Sequence, residues 1–292
     1  MISDNETNKV YFSNQSTYDF KPELKELMAI LDEYGIEYGF INGTRDYFCR
    51  DYMPIQIDED TVVRFKFRPD YLLNNPLQRK NVTNTSLVYR RNDLLKNFRT
   101  IESDIILDGG NVVKCKSKVI ITGKVLTDNP QLDKITSAET RRGMSPQTAG
   151  LPDAFPGVEI IIIPRYPNEP TGHADGLVRF VDEERVMTIN LDYEIQPWKD
   201  DFKKALSDAG LKIISLPTLP DYSEDDWAYI NFLQVKNLII IPALDKTKDP
   251  IIEEFFKRTF PDYKIRMVKA NRILAQGGGL NCFSWTMKKA NG

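Results

Sequence analysis

The same short series of structural elements occurs five times along this 292-residue sequence. Each unit contains an amphipathic or polar segment, a short apolar strand, a loop rich in glycine or polar residues, and then more strand-like sequence. The apolar strands are predicted at residues 35–41, 100–107, 157–163, 210–216 and 262–268, so that successive starts are 65, 57, 53 and 52 residues apart. This repeat predicts five related α/β modules.

Amphipathic helices are predicted before several of these strands. Apolar residues at helical spacing precede the first strand, with Pro22 suited to the first turn, at Leu24, Leu27, Met28 and Leu31. The same pattern precedes the fourth and fifth strands, at Phe202, Ala205, Leu206 and Ala209 and at Ile251, Ile252, Phe255 and Phe256. The helix before the third strand is the weakest, because it is interrupted by Pro146, Pro152 and Pro156.

The five modules are predicted to form one domain that covers residues 1–292. No Gly/Ser linker, charge block or low-complexity stretch separates one module from the next. A ring is the natural closure for such repeats. If each module turns the loop after its apolar strand toward a common axis, residues far apart in sequence meet there, and these loops are the place to search for function.

Composition and charge exclude several classes of partner. The content of 41% hydrophobic and 28% charged residues predicts a globular protein. A formal net charge of -3 without a basic stripe argues against nucleic acid. The sequence has no basic, apolar leader and no apolar run near the ~18 residues that span a bilayer, so we expect neither export nor a membrane segment. Three widely spaced cysteines form no disulfide framework and no paired metal-ligand pattern, so a reducing cytoplasm is expected. Oligomeric state, a homo-oligomer included, stays open.

Each predicted loop carries at least one side chain suited to chemistry, in the order Asp51, Asp108, His173 with Asp175, Asn231 and Cys282. His173 is the one histidine of the sequence and lies in a polar loop, between Gly172 and Asp175. A lone histidine is often a structural core residue, but this setting and the near-neutral pKa of imidazole favour proton transfer. We predict that His173 is a general acid and base.

Cys282 is the predicted nucleophile. It follows three consecutive glycines, Gly277 to Gly279, which allow the backbone to approach a ligand closely. A buried, inert thiol is the usual alternative for a single cysteine. We assign Cys49 and Cys115 to that alternative, because each is predicted in strand-like sequence without a glycine-rich approach.

The acidic residues of the loops predict a site for a small planar cation. Two carboxylates, Asp51 and Asp175, can grip the donor fork of a guanidinium group from different sides through charge-assisted hydrogen bonds. Asp108 precedes two glycines and could either orient His173 or grip the same fork. Asn231 is a weaker candidate, because a structural role is more typical of such a residue.

Five motifs together resemble one known group of enzymes. They are Arg50-Asp-Tyr-x-Pro54, Asp108-Gly-Gly-Asn111, Gly172-His-Ala-Asp-Gly-x-x-Arg-Phe180, Tyr229-Ile-Asn-Phe232 and Gly277-Gly-Gly-x-x-Cys282. In this order they resemble the agmatine deiminase and Porphyromonas-type peptidylarginine deiminase branch of the guanidine-modifying enzymes. The resemblance implies a pentein fold, an α/β propeller of five ββαβ-type modules around a pseudo-fivefold axis.

The resemblance also implies a mechanism without metal or organic cofactor. The thiolate of Cys282 attacks the guanidinium carbon, His173 protonates the departing ammonia, and water hydrolyses the thiouronium adduct. The nominal reaction converts agmatine to N-carbamoylputrescine. Besides the catalytic Asp108, the residues implicated in contacts with this small substrate are Asp51, Asp175, Arg50, Phe48, Asn231 and Asn281.

Three positions depart from the family pattern. Phe48 stands two residues before Arg50, where agmatine deiminases generally have Trp before the Arg-Asp pair. Asp108 stands where many members have Glu, and Asn281 stands where agmatine deiminases usually have His. The first and third departures bear on the substrate, and the second bears on the geometry of the site.

Three further alternatives concern the substrate and the reaction. Strand alternation in residues 63–68 puts Arg64, Lys66 and Arg68 on one face, and Arg64 and Arg68 are candidate contacts for the carboxylate of arginine or of a peptide with C-terminal arginine. A solvated strand face over Phe65 and Phe67 explains the same pattern. An amidinotransferase and a catalytically silent pentein are the remaining alternatives.

Overall fold

The computed structural model describes residues 1–132 and 151–289. Within these residues, strands form five separate three-stranded sheets. The strands are β1 (Lys9–Ser13), β2 (Glu37–Ile41), β3 (Ile55–Gln56), β4 (Thr61–Lys66), β5 (Arg99–Ile106), β6 (Val113–Lys114), β7 (Lys118–Thr122), β8 (Glu159–Ile163), β9 (Val178–Phe180), β10 (Arg185–Thr188), β11 (Lys212–Ser215), β12 (Leu233–Val235), β13 (Leu238–Ala243), β14 (Lys264–Lys269) and β15 (Ser284–Met287).

Helices connect the strands. The α-helices of the described residues are α1 (Ser16–Asp19), α2 (Lys21–Glu33), α3 (Cys49–Tyr52), α4 (Asp70–Leu73), α5 (Thr85–Arg91), α6 (Lys124–Asp128), α7 (Leu151–Ala154), α8 (Gln196–Asp208), α9 (Asp249–Thr259), α10 (Asn271–Leu274) and α11 (Leu280–Phe283). Short 3₁₀ turns occupy Asp4–Glu6, Arg79–Asn81, Asp93–Leu95, Gly109–Asn111, Leu191–Tyr193 and Glu224–Ile230.

Every sheet follows the same rule of strand direction. A central strand pairs antiparallel with one neighbour and parallel with the other, as β4 does with β3 and β5. The parallel neighbours, which are β2, β5, β8, β11 and β14, coincide with the five apolar strands predicted from the repeat. A parallel connection needs a crossover, and helices such as α2, α8 and α9 supply it. The prediction of five related α/β modules is therefore confirmed.

The two ends of the chain meet in one sheet. The strand β15 pairs antiparallel with β1, with Lys9 opposite Met287, and β1 pairs parallel with β2. The last strand thus completes the first module. This pairing brings the loop before β15, which contains Cys282, next to the loop after β2, which contains Asp51.

The crossover helices bury the predicted apolar stripes. In α2 the buried positions include Leu24, Leu27 and Leu31, and in α8 they include Phe202 and Leu206. In α9, Ile252 and Phe256 are buried, but Ile251 is 39% exposed and does not belong to the stripe. Adjacent residues of a helix point about 100° apart, so Ile251 and Ile252 cannot both face the core fully.

The described residues directly before β8 contain the four-residue helix α7, which includes Pro152. Pro156 follows the end of α7, and Pro146 lies outside the described residues.

Buried side chains from neighbouring modules pack together into shared clusters. One cluster joins side chains of the third, fourth and fifth modules, including Ile163, Val186 and Ile241. Another joins the first and fifth modules through Leu27, Val235 and Phe283. This packing holds the loops after the parallel strands in fixed relation to each other. Across residues 1–132 and 151–289, no helix is long and apolar enough to cross a membrane.

Candidate active site

The connections that follow the parallel strands meet at one cavity of about 870 Å³. Asp51 lies in α3 after β2, His173 and Asp175 lie in the loop after β8, and Cys282 lies in α11 after β14. All four side chains line the cavity, and Phe48 lines it beside them. The structure therefore brings together residues that are more than 200 positions apart in sequence.

His173 is held between two carboxylates. Its Nε2 lies 3.1 Å from Oδ2 of Asp108, and its Nδ1 lies 3.7 Å from Oδ1 of Asp51. Burial alone would lower the pKa of His173, but the charges of Asp51 and Asp108 outweigh it and raise the pKa to about 10. The imidazole is therefore protonated at neutral pH and can donate a proton to a leaving group.

Asp51 is fixed by two donors. The hydroxyl of Tyr71 donates a hydrogen bond to Oδ2 at 3.0 Å, and the backbone N–H of Gly110 donates to Oδ1 at 3.1 Å. Burial raises the pKa of Asp51 to about 7, with the neighbouring Asp108 and Asp175 adding to the rise and His173 opposing it. A cation bound beside Asp51 would favour its ionised form.

Cys282 lies against a carboxylate. Its Sγ is 3.4 Å from Oδ2 of Asp175, and its backbone N–H donates a hydrogen bond to Oδ1 of Asn231 at 3.1 Å. The same Asp175 oxygen accepts a hydrogen bond from Nδ2 of Asn281 at 2.7 Å. Burial raises the pKa of the Cys282 thiol well above its ordinary value, and the charges of Asp175 and Asp51 add to this effect. The thiol is protonated in the free protein.

Two glycines permit this close arrangement. A Cβ on Gly110 would lie 2.6 Å from Oδ1 of Asp51 and 2.6 Å from Nδ1 of His173. A Cβ on Gly278 would lie 2.5 Å from the ring of Phe48. Any larger residue at either position would displace a side chain that lines the cavity.

Within the part of the chain that the structure describes, no group of three or more His, Cys, Asp or Glu side chains is arranged to hold a metal ion. The carboxylates of the cavity are instead placed around a thiol and a protonated imidazole.

A comparison with protein families decides the relationship. The model of the Porphyromonas-type peptidyl-arginine deiminase family matches residues 1–287 of this chain. The chain belongs to this family. The prediction of the family from the five sequence motifs is thus confirmed.

Solved structures with similar folds support the architecture. The agmatine deiminase of C. jejuni superposes with a TM-score of 0.73 at 22% identity, over 99% of this chain and 96% of that chain. The agmatine deiminase of Enterococcus faecalis gives a TM-score of 0.71 at 16% identity, over 99% of this chain and 95% of that chain. The family member described here therefore has the pentein fold, as predicted.

Curated relatives match over shorter stretches. The agmatine deiminase of Pseudomonas aeruginosa, strain LESB58, is 37% identical over 57 residues, which cover 20% of this chain and 16% of that protein. A relative from Listeria monocytogenes is 26% identical over 221 residues, which cover 63% of this chain and 57% of that protein. The chain thus matches less than two thirds of the length of these relatives.

Three residues predicted to contact substrate are absent from the lining of the cavity in this family member. Arg50 is buried, and its Nε donates a hydrogen bond to the backbone oxygen of Asn281 at 2.9 Å. Asn231 donates from Nδ2 to the backbone oxygen of Asp175 at 3.2 Å. Neither these two nor Asn281 is among the residues that line the cavity, and their contact with a substrate stays a prediction. Arg50 and Asn231 hold the backbone of the Cys282 and Asp175 loops, whereas Asn281 bonds the carboxylate of Asp175.

Arg64 and Arg68, the candidate contacts for a substrate carboxylate, do not line the cavity either. Arg64 forms an ion pair with Glu102 of the adjacent strand β5 and lies 4.5 Å from the ring centre of Tyr89. Arg68 is exposed and lies beyond the end of β4. The alternative, a solvated strand face, describes this strand, because Arg64 and Lys66 pair with Glu102 and Asp104 across the sheet.

The three cysteines lie in different environments. Cys49 is fully buried in α3 rather than in a strand, and its Sγ donates to the backbone oxygens of Tyr11 and Phe283 at 3.5 Å. Burial raises the pKa of Cys49 and raises the pKa of Cys115 to about 11. Of the three, Cys282 alone lines the cavity.

Two residues of the site were missed by the sequence analysis. Tyr71, in α4, bonds Asp51 and lies edge-on to the His173 ring at 5.7 Å. Asp46 lines the cavity and accepts a hydrogen bond from the Phe48 backbone N–H at 2.9 Å, and burial raises its pKa to about 6. No sequence motif surrounds Tyr71, so nothing in the sequence indicated its role. Asp46 lies just ahead of the Arg50-Asp51 motif, and this position could have identified it as a site residue.

Proposed function

We propose that this protein is a cysteine-dependent guanidine deiminase that converts agmatine to N-carbamoylputrescine and ammonia. The observation that carries the proposal is the shared cavity, where the Cys282 thiol and the protonated His173 lie beside the carboxylates of Asp51 and Asp175. Family membership over residues 1–287 supports the same chemistry.

Substrate binding would activate the nucleophile. Asp175 and Asp51 are the charges that raise the pKa of Cys282 beyond the effect of burial. A guanidinium group between these carboxylates would offset both charges and bring a positive carbon toward Sγ. The pKa of the thiol then falls when the cation binds, and the thiol proton leaves to solvent. Without a bound substrate, the enzyme would keep Cys282 as an unreactive thiol.

In the reaction that follows, His173 acts first as a general acid and then as a general base. The Cys282 thiolate attacks the guanidinium carbon, and the His173 imidazolium protonates the departing NH₂ group so that ammonia leaves. Neutral His173 next takes one proton from the water that attacks the thiouronium carbon. As this adduct collapses, the C–S bond breaks and the second proton of the water passes to the Cys282 sulfur, which gives the ureido product and restores the thiol. Released ammonia takes up the proton that the thiol lost. Asp108 would hold the imidazole by its bond to Nε2.

The charge of the cavity supports a substrate with a cationic tail. Among the described residues, the lining contains no Lys or Arg. Its acidic residues are Asp46, Asp51, Glu169, Asp175, Glu194, Glu224, Asp225 and Asp226. A carboxylate of arginine or of a peptide C-terminus would meet like charges here, whereas the amine of agmatine would meet opposite ones.

We also propose that residues 1–292 form one domain that works in the cytoplasm on a small molecule, with no nucleic-acid or membrane partner. The pairing of β15 with β1 supports one domain, because both chain ends contribute to the same sheet. A homo-oligomer is compatible with this arrangement.

A side-by-side assay tests the substrate. Ammonia release is measured from agmatine, free arginine and a peptide with C-terminal arginine, using the wild type and the Arg64→Ala and Arg68→Ala variants. We expect kcat/KM for agmatine to exceed kcat/KM for arginine and for the peptide by at least about 100-fold. A substrate carboxylate beside the acidic lining would cost several kcal/mol, because like charges repel. The variants should not change this order. Preference for arginine or the peptide would contradict the proposal, and inactivity on all three would favour a silent pentein.

A further inference from the structure

The cavity is much larger than agmatine requires. Its volume of about 870 Å³ has room for roughly thirty water-sized groups at ~30 Å³ each, whereas agmatine has only about nine non-hydrogen atoms. Most of the volume therefore lies beyond the guanidinium and its short tail. The residues around this outer part decide which longer molecules fit.

Trp227 connects the inner and outer parts of the cavity. A Cβ on Gly176, the residue after Asp175, would lie 3.3 Å from the Trp227 ring, so the indole packs directly on the backbone of the catalytic loop. Trp227 also lines the cavity, as do Tyr222 and Tyr193 further out. An apolar, aromatic wall thus runs outward from Asp175.

Two exposed tyrosines form a stacked pair at the outer end. The rings of Tyr193 and Tyr222 lie 4.1 Å apart at an angle of 28°. Their exposed fractions are 43% and 48%, so that large aromatic faces remain open to a ligand. Aromatic faces of this kind attract ammonium groups through their negative quadrupole.

Glu194 lies beside this pair and feels the charge of Lys199, but it forms no ion pair in the described part of the chain. It is half-buried, lines the cavity and is hydrogen-bonded by Tyr166, and burial raises its pKa. Asp226, by contrast, is paired with Lys248 at 2.8 Å. A half-buried carboxylate facing open volume beside aromatic rings is suited to an ammonium ligand.

We propose that Glu194, Tyr166 and the Tyr193–Tyr222 pair form a second cation subsite, so that the substrate class extends to guanidines whose tail is an oligoamine. The inference rests on the proposed function, because it takes the guanidinium to be held at Cys282. The first amine of the tail lies near the inner carboxylates, and the aromatic wall carries the methylene groups outward. A further ammonium group then reaches Glu194.

Two probes test the subsite. One is agmatine, and the other is agmatine whose terminal amine carries a 3-aminopropyl group, which adds one ammonium to the tail. We expect the wild type to have a higher kcat/KM for the extended probe. In Glu194→Gln, the ratio of kcat/KM for the extended probe to that for agmatine should fall by about tenfold, because a charged hydrogen bond is lost.

A matched control separates the subsite from general charge effects. Asp192→Asn removes an exposed carboxylate two residues away that does not line the cavity, and it should leave the ratio unchanged. Tyr222→Leu should lower the ratio as Glu194→Gln does. Thermal unfolding of each variant checks that it is folded. An equal ratio in wild type, Glu194→Gln and Asp192→Asn would overturn the proposal.

A binding experiment distinguishes failure of the subsite from failure of the proposed function. If the wild type releases no ammonia from either probe, calorimetry with a linear triamine that has no guanidinium group still reports on the subsite. Binding that weakens about tenfold in Glu194→Gln and not in Asp192→Asn would keep the subsite while the deiminase proposal fails. Absent binding, or equal binding by both variants, would reject the subsite.

Discussion

The carboxylate of Asp175 lies 3.4 Å from the thiol of Cys282. Together with burial, this negative neighbour keeps the thiol protonated in the free protein. Asn281 donates to the same Asp175 oxygen at 2.7 Å and so fixes its direction. A nucleophile that depends on a bound cation for its ionisation is protected from oxidation and alkylation when the cavity holds no substrate.

The dependence of kcat/KM on pH should report two groups of the site. Asp51 has a pKa raised to about 7 and must be ionised to bind a cation, so activity rises as the pH increases through about 7. His173 has a pKa raised to about 10 and must be protonated to release ammonia, so activity falls above about pH 10.

Asp108→Asn should move the alkaline limb of this profile to lower pH. The charge of Asp108 raises the pKa of His173, so its removal lowers that pKa by about one unit or more. The measurement is kcat/KM for agmatine between pH 6 and 11. The exposed Asp60→Asn variant serves as the control and should leave the limb in place. An unmoved limb in Asp108→Asn would mean that another group sets it.

Cys282→Ser should abolish ammonia release, with a loss of at least about 1000-fold in kcat. Cys49→Ser should stay within about threefold of the wild type once folding is verified, because the new hydroxyl can donate to the backbone oxygens that Cys49 contacts now. Cys115→Ser should behave in the same way. A comparable loss of activity in a folded Cys49→Ser protein would contradict the assignment of Cys282 as the only essential thiol.

Gly110→Ala should inactivate the protein without unfolding it. The added methyl group would lie 2.6 Å from both Asp51 and His173, so one of these side chains must move. A displacement of this size costs about 100-fold in kcat/KM. The matched control is Gly123→Ala, whose Cβ would meet only a backbone oxygen at 3.8 Å. Equal activity of the two variants would show that the Asp51–His173 contact is dispensable.

The repeat in the sequence predicted the fold well, because each module repeats its own local pattern. Alternating apolar strands and amphipathic helices are short-range signals, and all five parallel strands appear where the pattern puts them. The motif loops also place four side chains in one cavity, as the repeat suggested. They are Asp51, His173, Asp175 and Cys282.

Side-chain partners that are far apart in sequence could not be predicted from the sequence. Arg64 looks available in sequence, but its charge meets Glu102, which becomes a neighbour only when β4 pairs with β5. Asn231 and Arg50 lie in motif loops, yet neither side chain lines the cavity and both bond to backbone groups. Which side of a loop a side chain takes depends on packing that no single segment specifies.

Asp4→Asn should destabilise the protein strongly, although Asp4 is far in sequence from the residues that line the cavity. Its carboxylate is 2.9 Å from Arg179 and 3.4 Å from Lys114. Burial alone would raise its pKa, but Lys114 and Arg179 outweigh burial and lower the pKa to about 2. Substitution leaves the guanidinium of Arg179, which is only 3% exposed, without its counter-charge. The expected cost is about 3 kcal/mol of unfolding free energy at pH 7.

The pH dependence of that cost identifies its origin. Because the pKa of Asp4 in the folded protein lies below its ordinary value of 3.8, the stabilisation is fully present above pH 3.8 and is lost as the pH falls through about 2. Urea unfolding of wild type and Asp4→Asn should therefore show a difference that narrows as the pH is lowered from 4 toward 2. Asp104→Asn, which removes an exposed partner of Lys66, should change stability little at any pH. A difference for Asp4→Asn that stays constant down to pH 2 would assign the loss to packing rather than to charge.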